Sequence, residues 1–177
     1  MTMKKLMAGL MVLAVSAMVA GTAKAELHLR PLQIGIGGME CQLVEEVHAI
    51  APLRLNLIYS ENVMMAGLDL GIAGQADSSY GIQANLVNFI DYWGVGIGAG
   101  FYLEAGNYAG VTVAPINYTK GTYAGLQMGF FSSADVLYGV QLGFINRVRE
   151  LHGLQAGLLN ISTESDCPYL PLVRVGF

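Results

Sequence analysis

Residues 139–160 read GVQLGFINRVRELHGLQAGLLN and contain nearly the same phrase twice, as GVQLGFIN and, fourteen positions later, GLQAGLLN. Aligning the glycines extends the repeat to seven units. Two glycines at fixed places disfavour a helix, and the alternation between two kinds of residue predicts a strand. The units begin, at intervals of 14, 13, 16, 15, 14 and 14 residues, at Gly67, Gly81, Gly94, Gly110, Gly125, Gly139 and Gly153.

Each unit separates its residues onto two faces, because successive side chains of a strand point in opposite directions. One face is almost wholly apolar, as at Leu154, Ala156 and Leu158. The other face carries glycine and small or polar residues. Its polar members are the candidates for an interior position: Asp69, Gln83, Gln127, Gln141 and Gln155.

Three further stretches alternate in the same way, at residues 27–36, 53–59 and 169–177. With the seven units they make about ten strands, most of them joined by three to five residues, which is typical of an antiparallel meander. One longer connection contains MECQLVEEVHAI, in which Met39, Leu43 and Val47 share one side of a helix. The sequence therefore predicts one short helix near residues 39–50.

The N-terminus has the features of a secretory signal peptide. Lys4 and Lys5 precede an apolar run, and residues 23–25, AKA, form a small-x-small cleavage site. Cleavage there would leave residues 26–177 as a single domain. The mature chain would keep 6 basic and 13 acidic residues, for a formal charge of −7, which argues against a nucleic-acid partner.

The composition of the chain is unusually apolar. Hydrophobic residues make up 54% and charged residues 12%, against about 25% charged in a typical soluble domain. No run of eighteen apolar residues follows the signal, so the sequence predicts no membrane helix. The apolar side chains must therefore lie on strands that face either a core or lipid.

Three architectures fit an apolar face opposite a small polar face. The first, which we favour, is a small transmembrane β-barrel of about ten strands, with apolar side chains towards lipid and glycine and glutamine inside. The second is a parallel solenoid with one coil per repeat and the apolar face inside. The third is a soluble antiparallel barrel or sandwich. Stacked coils, unlike a meander, would place Gln127, Gln141 and Gln155 in one ladder.

Several features favour the barrel. The chain ends on an alternating strand with an aromatic residue, Phe177, as bacterial outer-membrane barrels do. An even strand number places both ends on one side, with the two longest connections on the other. Tyr80, Trp93 and Tyr138 precede glycines and would belong, with Phe177, to interfacial aromatic girdles.

The two cysteines are predicted to form a disulfide. Cys41 follows the first strand and Cys167 precedes the last, and those strands are neighbours in a closed barrel. An exported protein enters an oxidising compartment in which disulfides persist. The bridge would close a loop of over a hundred residues.

No catalytic, cofactor-binding or metal-binding set is apparent in the sequence. GVGIGAGF at Gly94 lacks the GxGxxG spacing and a following helix, so a strand is the better interpretation. Arg147, Arg149, Glu150 and His152 cluster, but a solvated turn explains them. The sequence therefore predicts no enzyme, no cofactor and no identifiable small-molecule substrate.

The phrases GLDLGIAG, GVQLGFINRVRELHGLQAGLLNIS and PYLPLVRVGF, with the openings PLQIGIGG and PLRLNLIYSEN, resemble a bacterial family of uncharacterised surface repeat-containing proteins. The resemblance covers most of residues 31–177. It implies an outer-membrane or secreted location and no catalytic residues. Two units, GVGIGAGF and GVTVAPIN, depart from it because they lack the glutamine.

The expected function is therefore a structural or surface role in the bacterial envelope, at the outer membrane or cell surface. The expected partners are outer-membrane lipid and the barrel-assembly machinery. The alternative is a periplasmic or secreted soluble β-domain, or a β-solenoid, that binds a ligand or a protein partner.

Overall fold

The computed structural model describes residues 29–36 and 49–176, and these residues form six β-strands and no helix. Strands β1 to β5 pair in parallel, whereas β6 is antiparallel to β5. β2 and β5, with 51 and 41 residues, wind through successive coils of a β-solenoid. The elements are β1 (Leu29–Gly35), β2 (Ala49–Ala99), β3 (Tyr102–Val113), β4 (Ile116–Thr119), β5 (Thr122–Ser162) and β6 (Tyr169–Gly176).

The prediction of an antiparallel meander closed into a ten-stranded barrel is wrong. Successive repeats run in the same direction, with Gly96 paired to Gly110 and Gly110 paired to Gly125. The sheet is also open, because β1 and β6 lie at opposite ends of the strand order. The observed architecture is the parallel solenoid that was the second alternative.

A column of seven glycines sets the stacking of the coils. A Cβ built on any of the later six would overlap the carbonyl oxygen of the glycine before it in the column. All seven have positive φ, such as +138° at Gly139, a conformation that glycine adopts most readily. The third unit therefore begins at Gly96 and not at Gly94 as predicted, and the column is Gly67, Gly81, Gly96, Gly110, Gly125, Gly139 and Gly153.

The corners of a coil appear as breaks in the alternation of buried and outward residues. In residues 139–152, Gln141, Asn146, Val148 and Leu151 are buried. Two successive residues point outward at 144–145, and again at 149–150. Each such pair marks a bend, after which the backbone begins the next side of the coil. Because every coil repeats these bends, the chain returns to the same direction and neighbouring repeats stack in parallel.

The interior of the solenoid combines an apolar strip with polar columns. The apolar strip includes Leu103, Tyr108, Tyr123, Leu137 and Val148, all nearly inaccessible to solvent. The glutamines of the repeat are equally buried. The solenoid alternative placed the apolar face of the repeats inside, and that part is wrong: the face that contains Leu68 and Leu158 points outward.

The antiparallel strand β6 covers the C-terminal end of the stack. Arg174 pairs with Gln155 in register, is buried, and donates a hydrogen bond through Nη2 to the carbonyl oxygen of Cys167. Pro171 removes a backbone donor from this edge strand, and Leu172 has a φ of +67°. These features make the edge a poor template for a further strand.

Three predictions fall wholly or mostly on residues that the structure does not describe. The signal peptide at 1–25 and Phe177 lie outside the described residues. The helix predicted near 39–50 does so as well, except that Ala49 and Ile50 begin β2. Across the described part of the chain, no helix of the length and apolar character needed to cross a membrane is present.

Candidate functional site

One side of the solenoid is a sheet of outward-pointing apolar side chains, which we call the apolar face. It is built from four positions of each repeat: the residue before the stacked glycine and the first, third and fifth residues after it. The parallel register carries each position from coil to coil, as in Ile97 to Val111 to Leu126. The third position contributes Leu70, Ala84, Ala99, Val113, Met128, Leu142 and Ala156.

Exposure is greatest at the fifth position of the repeat. Leu86, Phe101, Phe130 and Leu158 are 57%, 59%, 61% and 62% exposed. Phe130 and Phe144 stack with their ring centroids 4.3 Å apart. None of the described residues at the four positions is Asp, Glu, Lys or Arg. Contiguous apolar surfaces of this kind mark interaction sites in proteins that fold in water.

Beneath the apolar face runs a ladder of buried glutamine side chains. Gln141 donates through Nε2 to Oε1 of Gln127 at 2.6 Å, and Gln155 donates to Gln141 at 2.8 Å. This is the arrangement that stacked coils require. Each bond pairs a buried amide donor with a buried acceptor that would be costly to bury alone, while Gln127 Nε2 and Gln155 Oε1 at the two ends have no partner among the described residues. Thr112 holds the preceding place, and its hydroxyl lies 2.9 Å from that of Tyr123.

Near the N-terminal end the same column contains a buried ion pair. The guanidinium of Arg54 donates to both oxygens of Asp69, at 2.9 and 2.6 Å, and both side chains are fully inaccessible. Asn56 and Asn85 donate to the same carboxylate at 2.7 and 2.9 Å. The Asp69 oxygens therefore accept four hydrogen bonds, so the charge is compensated inside the stack.

The asparagines that end several repeats bind the backbone at a corner. Asn117 donates through Nδ2 to the carbonyl oxygens of Ala114 and Met128, at 2.7 and 2.8 Å. Asn88 makes the same pair of bonds to residues 85 and 99. These bonds connect the end of one coil to the next, where the chain bends. They serve the structure, because each amide nitrogen donates to two backbone carbonyl oxygens.

Another side of the solenoid carries charge pairs between successive coils. Arg149 bridges Asp135 and Glu164, at 2.7 and 2.5 Å, and Lys120 pairs with Glu104 at 2.7 Å. The hydrogen bond from Arg149 lowers the pKa of Asp135, and that from Lys120 lowers the pKa of Glu104. His152, at the edge of the apolar face, has its Nε2 2.8 Å from Oε1 of Glu150 in the same coil. Exposed pairs of this kind contribute little to stability and form no enclosed reaction site.

The structure places the remaining predicted site residues as follows. Asp69, Gln83, Gln127, Gln141 and Gln155 all lie inside the solenoid. Tyr80 and Tyr138 lie along one edge of the apolar face, where Tyr138 stacks on His152 at 4.7 Å. Trp93 does not lie on this edge. In its coil the stacked glycine is Gly96, so Val95 takes the position before it, and Trp93 pairs with Asn107. Parallel coils put the tyrosines on one edge and not alternately on two barrel rims.

The topology removes the reason for a bridge between the two cysteines. Cys167 is an exposed free thiol between β5 and β6, and Cys41 lies outside the described residues. β1 and β6, which would be neighbours in a closed barrel, are at opposite ends of the sheet. We therefore expect that both thiols of the oxidised mature chain can be alkylated when the chain is not disulfide-linked to another copy. Mass spectrometry after alkylation without reductant measures the number of labels. An unlinked chain that gains labels only after reduction would contradict the expectation.

Nothing in the described part of the chain resembles a catalytic or metal centre. No group of three or more His, Cys, Asp or Glu residues there is placed to hold a metal ion. Sequence reasoning missed the Arg54–Asp69 pair because the two residues are fifteen positions apart. A search for opposite charges at the repeat spacing would have found it.

The fold defines the chain as a parallel β-solenoid with a polar ladder inside and an apolar face outside. Comparisons with protein-family models, curated proteins and solved structures found no match. The resemblance to surface repeat-containing proteins therefore stays a prediction.

Proposed function

We propose that this protein is an exported, non-catalytic β-solenoid that acts by binding an apolar surface through its apolar face. The observation that carries the proposal is the continuity of that face from coil to coil without a charged residue. A folded chain gains nothing from exposing side chains such as Phe130 and Leu158 to water, because apolar exposure is unfavourable. Their exposure is explained if a partner covers them.

Two features support a binding role over an enzymatic one. The buried glutamine ladder and the Arg54–Asp69 pair direct their polar groups to one another inside the stack. The outward charges form simple pairs between coils. A place outside the cytoplasm follows from the predicted signal peptide. The barrel-assembly machinery is no longer an expected partner, since that role depended on a closed barrel.

The test compares two double variants of the full-length chain. Leu86→Lys with Leu158→Lys puts two charges on the apolar face. The matched control, Tyr92→Lys with Tyr118→Lys, changes two exposed aromatic residues that lie off the face, 63% and 39% exposed. Lysine is tolerated on exposed strands, so both variants should keep the wild-type β-sheet circular dichroism spectrum.

After cell fractionation, the wild type and the control should be found outside the cytoplasm and migrate in native gels as an assembly larger than a monomer. The face variant should be exported but migrate as a monomer, because a lysine cannot be buried in an apolar contact without a large cost. Monomeric migration of all three proteins, with none of them bound to the membrane fraction, would exclude the proposal, and so would an equal loss in the control.

A further inference from the structure

We infer that the surface covering the apolar face is the same face of a second copy, so that two solenoids pack sheet against sheet. This inference rests on the proposed function and names its partner. Three observations carry it: the size of the face, the absence of Asp, Glu, Lys and Arg among its described residues, and the build of the C-terminal end of the stack.

The size of the face matches what a stable dimer requires. Eight layers, from Leu68 to Val175, at about 4.8 Å each and seven residues at about 3.3 Å each give a face of roughly 38 Å by 23 Å. That is about 880 Å² from each copy, close to the ~800 Å² per partner of a standard interface. Strand β6 forms the eighth layer of the apolar face, because Val175 pairs with Leu154 in register.

The composition of the face suits a copy of itself. Columns of aliphatic side chains repeat at the strand spacing, so the ridges of one sheet can lie between those of another, as in β-sandwiches. Near the C-terminal end, Val140, Leu154 and Val175 line a shallow apolar depression that could receive such a ridge. Since the described face holds no Asp, Glu, Lys or Arg, self-pairing brings no like charges together.

A lipid surface fits the same face less well. Proteins that lie on membranes combine an apolar side with Lys and Arg residues that reach anionic headgroups. The mature chain is predicted to carry 6 basic and 13 acidic residues, and none of the basic ones lies at the four positions of the face. The resulting net negative charge opposes adsorption to an anionic bilayer.

The C-terminal end of the stack disfavours end-to-end association, which leaves the apolar face as the surface for pairing. β6 is antiparallel, and Pro171 and Leu172 disturb its free edge. Continuation of the sheet from this end by another chain is therefore disfavoured. Pairing of two identical faces about a two-fold axis gives a closed dimer and not a fibre.

The first test is sedimentation velocity of the purified mature protein at micromolar concentration. The wild type and the variant Tyr92→Lys with Tyr118→Lys should sediment as dimers. Leu86→Lys with Leu158→Lys should be a monomer, with dimerisation weakened roughly a hundredfold or more. A monomeric wild type would overturn the inference, and so would a dimer unaffected by the face substitutions.

The second test places a cysteine at the centre of the face. In a background of Cys41→Ser and Cys167→Ser, Val113→Cys should form a disulfide-linked dimer on mild oxidation, while Tyr118→Cys on another side should not. Val113 is 47% exposed, so this change should not prevent folding. Equal cross-linking at both positions, or at neither, would contradict face-to-face pairing.

Binding to vesicles of phosphatidylethanolamine and phosphatidylglycerol tests whether lipid, and not a second copy, covers the apolar face. The wild type could be monomeric in solution and float with the vesicles, while the face variant does not float. That result would identify lipid as the partner and overturn self-pairing. The proposed function would then survive. If instead the face substitutions change neither the assembly in cells nor the purified dimer, the proposed function fails together with this inference.

Discussion

Replacing Gly139 by Ala should destabilise the protein by roughly 2–6 kcal/mol, the sum of about 1–3 kcal/mol of backbone strain and about 1–3 kcal/mol of overpacking. Gly139 has a φ of +138°, which an L-residue rarely adopts. Its added Cβ would overlap the carbonyl oxygen of Gly125 in the coil below, and backbone cannot move aside as a side chain can. Urea unfolding followed by circular dichroism measures the loss.

The control is Gly121→Ala. An added Cβ there meets first the side-chain oxygen of Asn107, and Gly121 does not have a φ in the positive region. A side chain can shift, so the control should lose much less stability. If Gly139→Ala were as stable as Gly121→Ala, the close stacking of the glycine column would be wrong.

Replacing Asp69 by Asn should cost about 3–5 kcal/mol, the usual effect of removing one partner from a buried ion pair. Arg54 would keep its charge in the interior with no opposite charge beside it. The new amide would also present a donor where Arg54, Asn56 and Asn85 all donate. The measurement is again the free energy of unfolding from urea curves.

A double-mutant cycle separates the ion pair from the loss of packing. Arg54→Met with Asp69→Asn leaves no buried charge, so it should lose clearly less than the sum of the two single variants. Asp135→Asn makes the same chemical change in an exposed pair with Arg149 and should have little effect. Additive single effects at Arg54 and Asp69 would show that the pair is not formed.

The repeat unit could be identified from the sequence, but its register could not be fixed everywhere. Aligning Gly94 with the other glycines gave intervals of 13 and 16 residues, and the structure uses Gly96, with 15 and 14. GVGIGAGF contains four glycines at alternate places, so the local pattern fits either choice. Contact with the coils on both sides decides it, because only Gly96 lies under Gly110 and over Gly81.

The barrel and the solenoid each contained one correct element. The barrel placed glutamine inside and apolar residues outside, but with the wrong strand direction. The solenoid had the right strand direction but the opposite placement of the faces. The alternation of side chains along a strand is the same in the barrel and in the solenoid, since it shows only which residues share a face. It does not report whether the chain reverses at a hairpin or continues round a corner.

The sequence by itself determined that this protein is built from short β repeats with a glutamine-bearing face and an apolar face. Side-chain alternation is a local property of each strand, so it can be read from neighbouring residues. Only the tertiary structure decided that the strands are parallel and that the glutamine face is inside. Those choices depend on contacts between residues fourteen or fifteen positions apart, such as Gly139 over Gly125 and Gln141 beside Gln127. In such contacts, close backbone approach and amide pairing outweigh the tendency of apolar side chains to be buried.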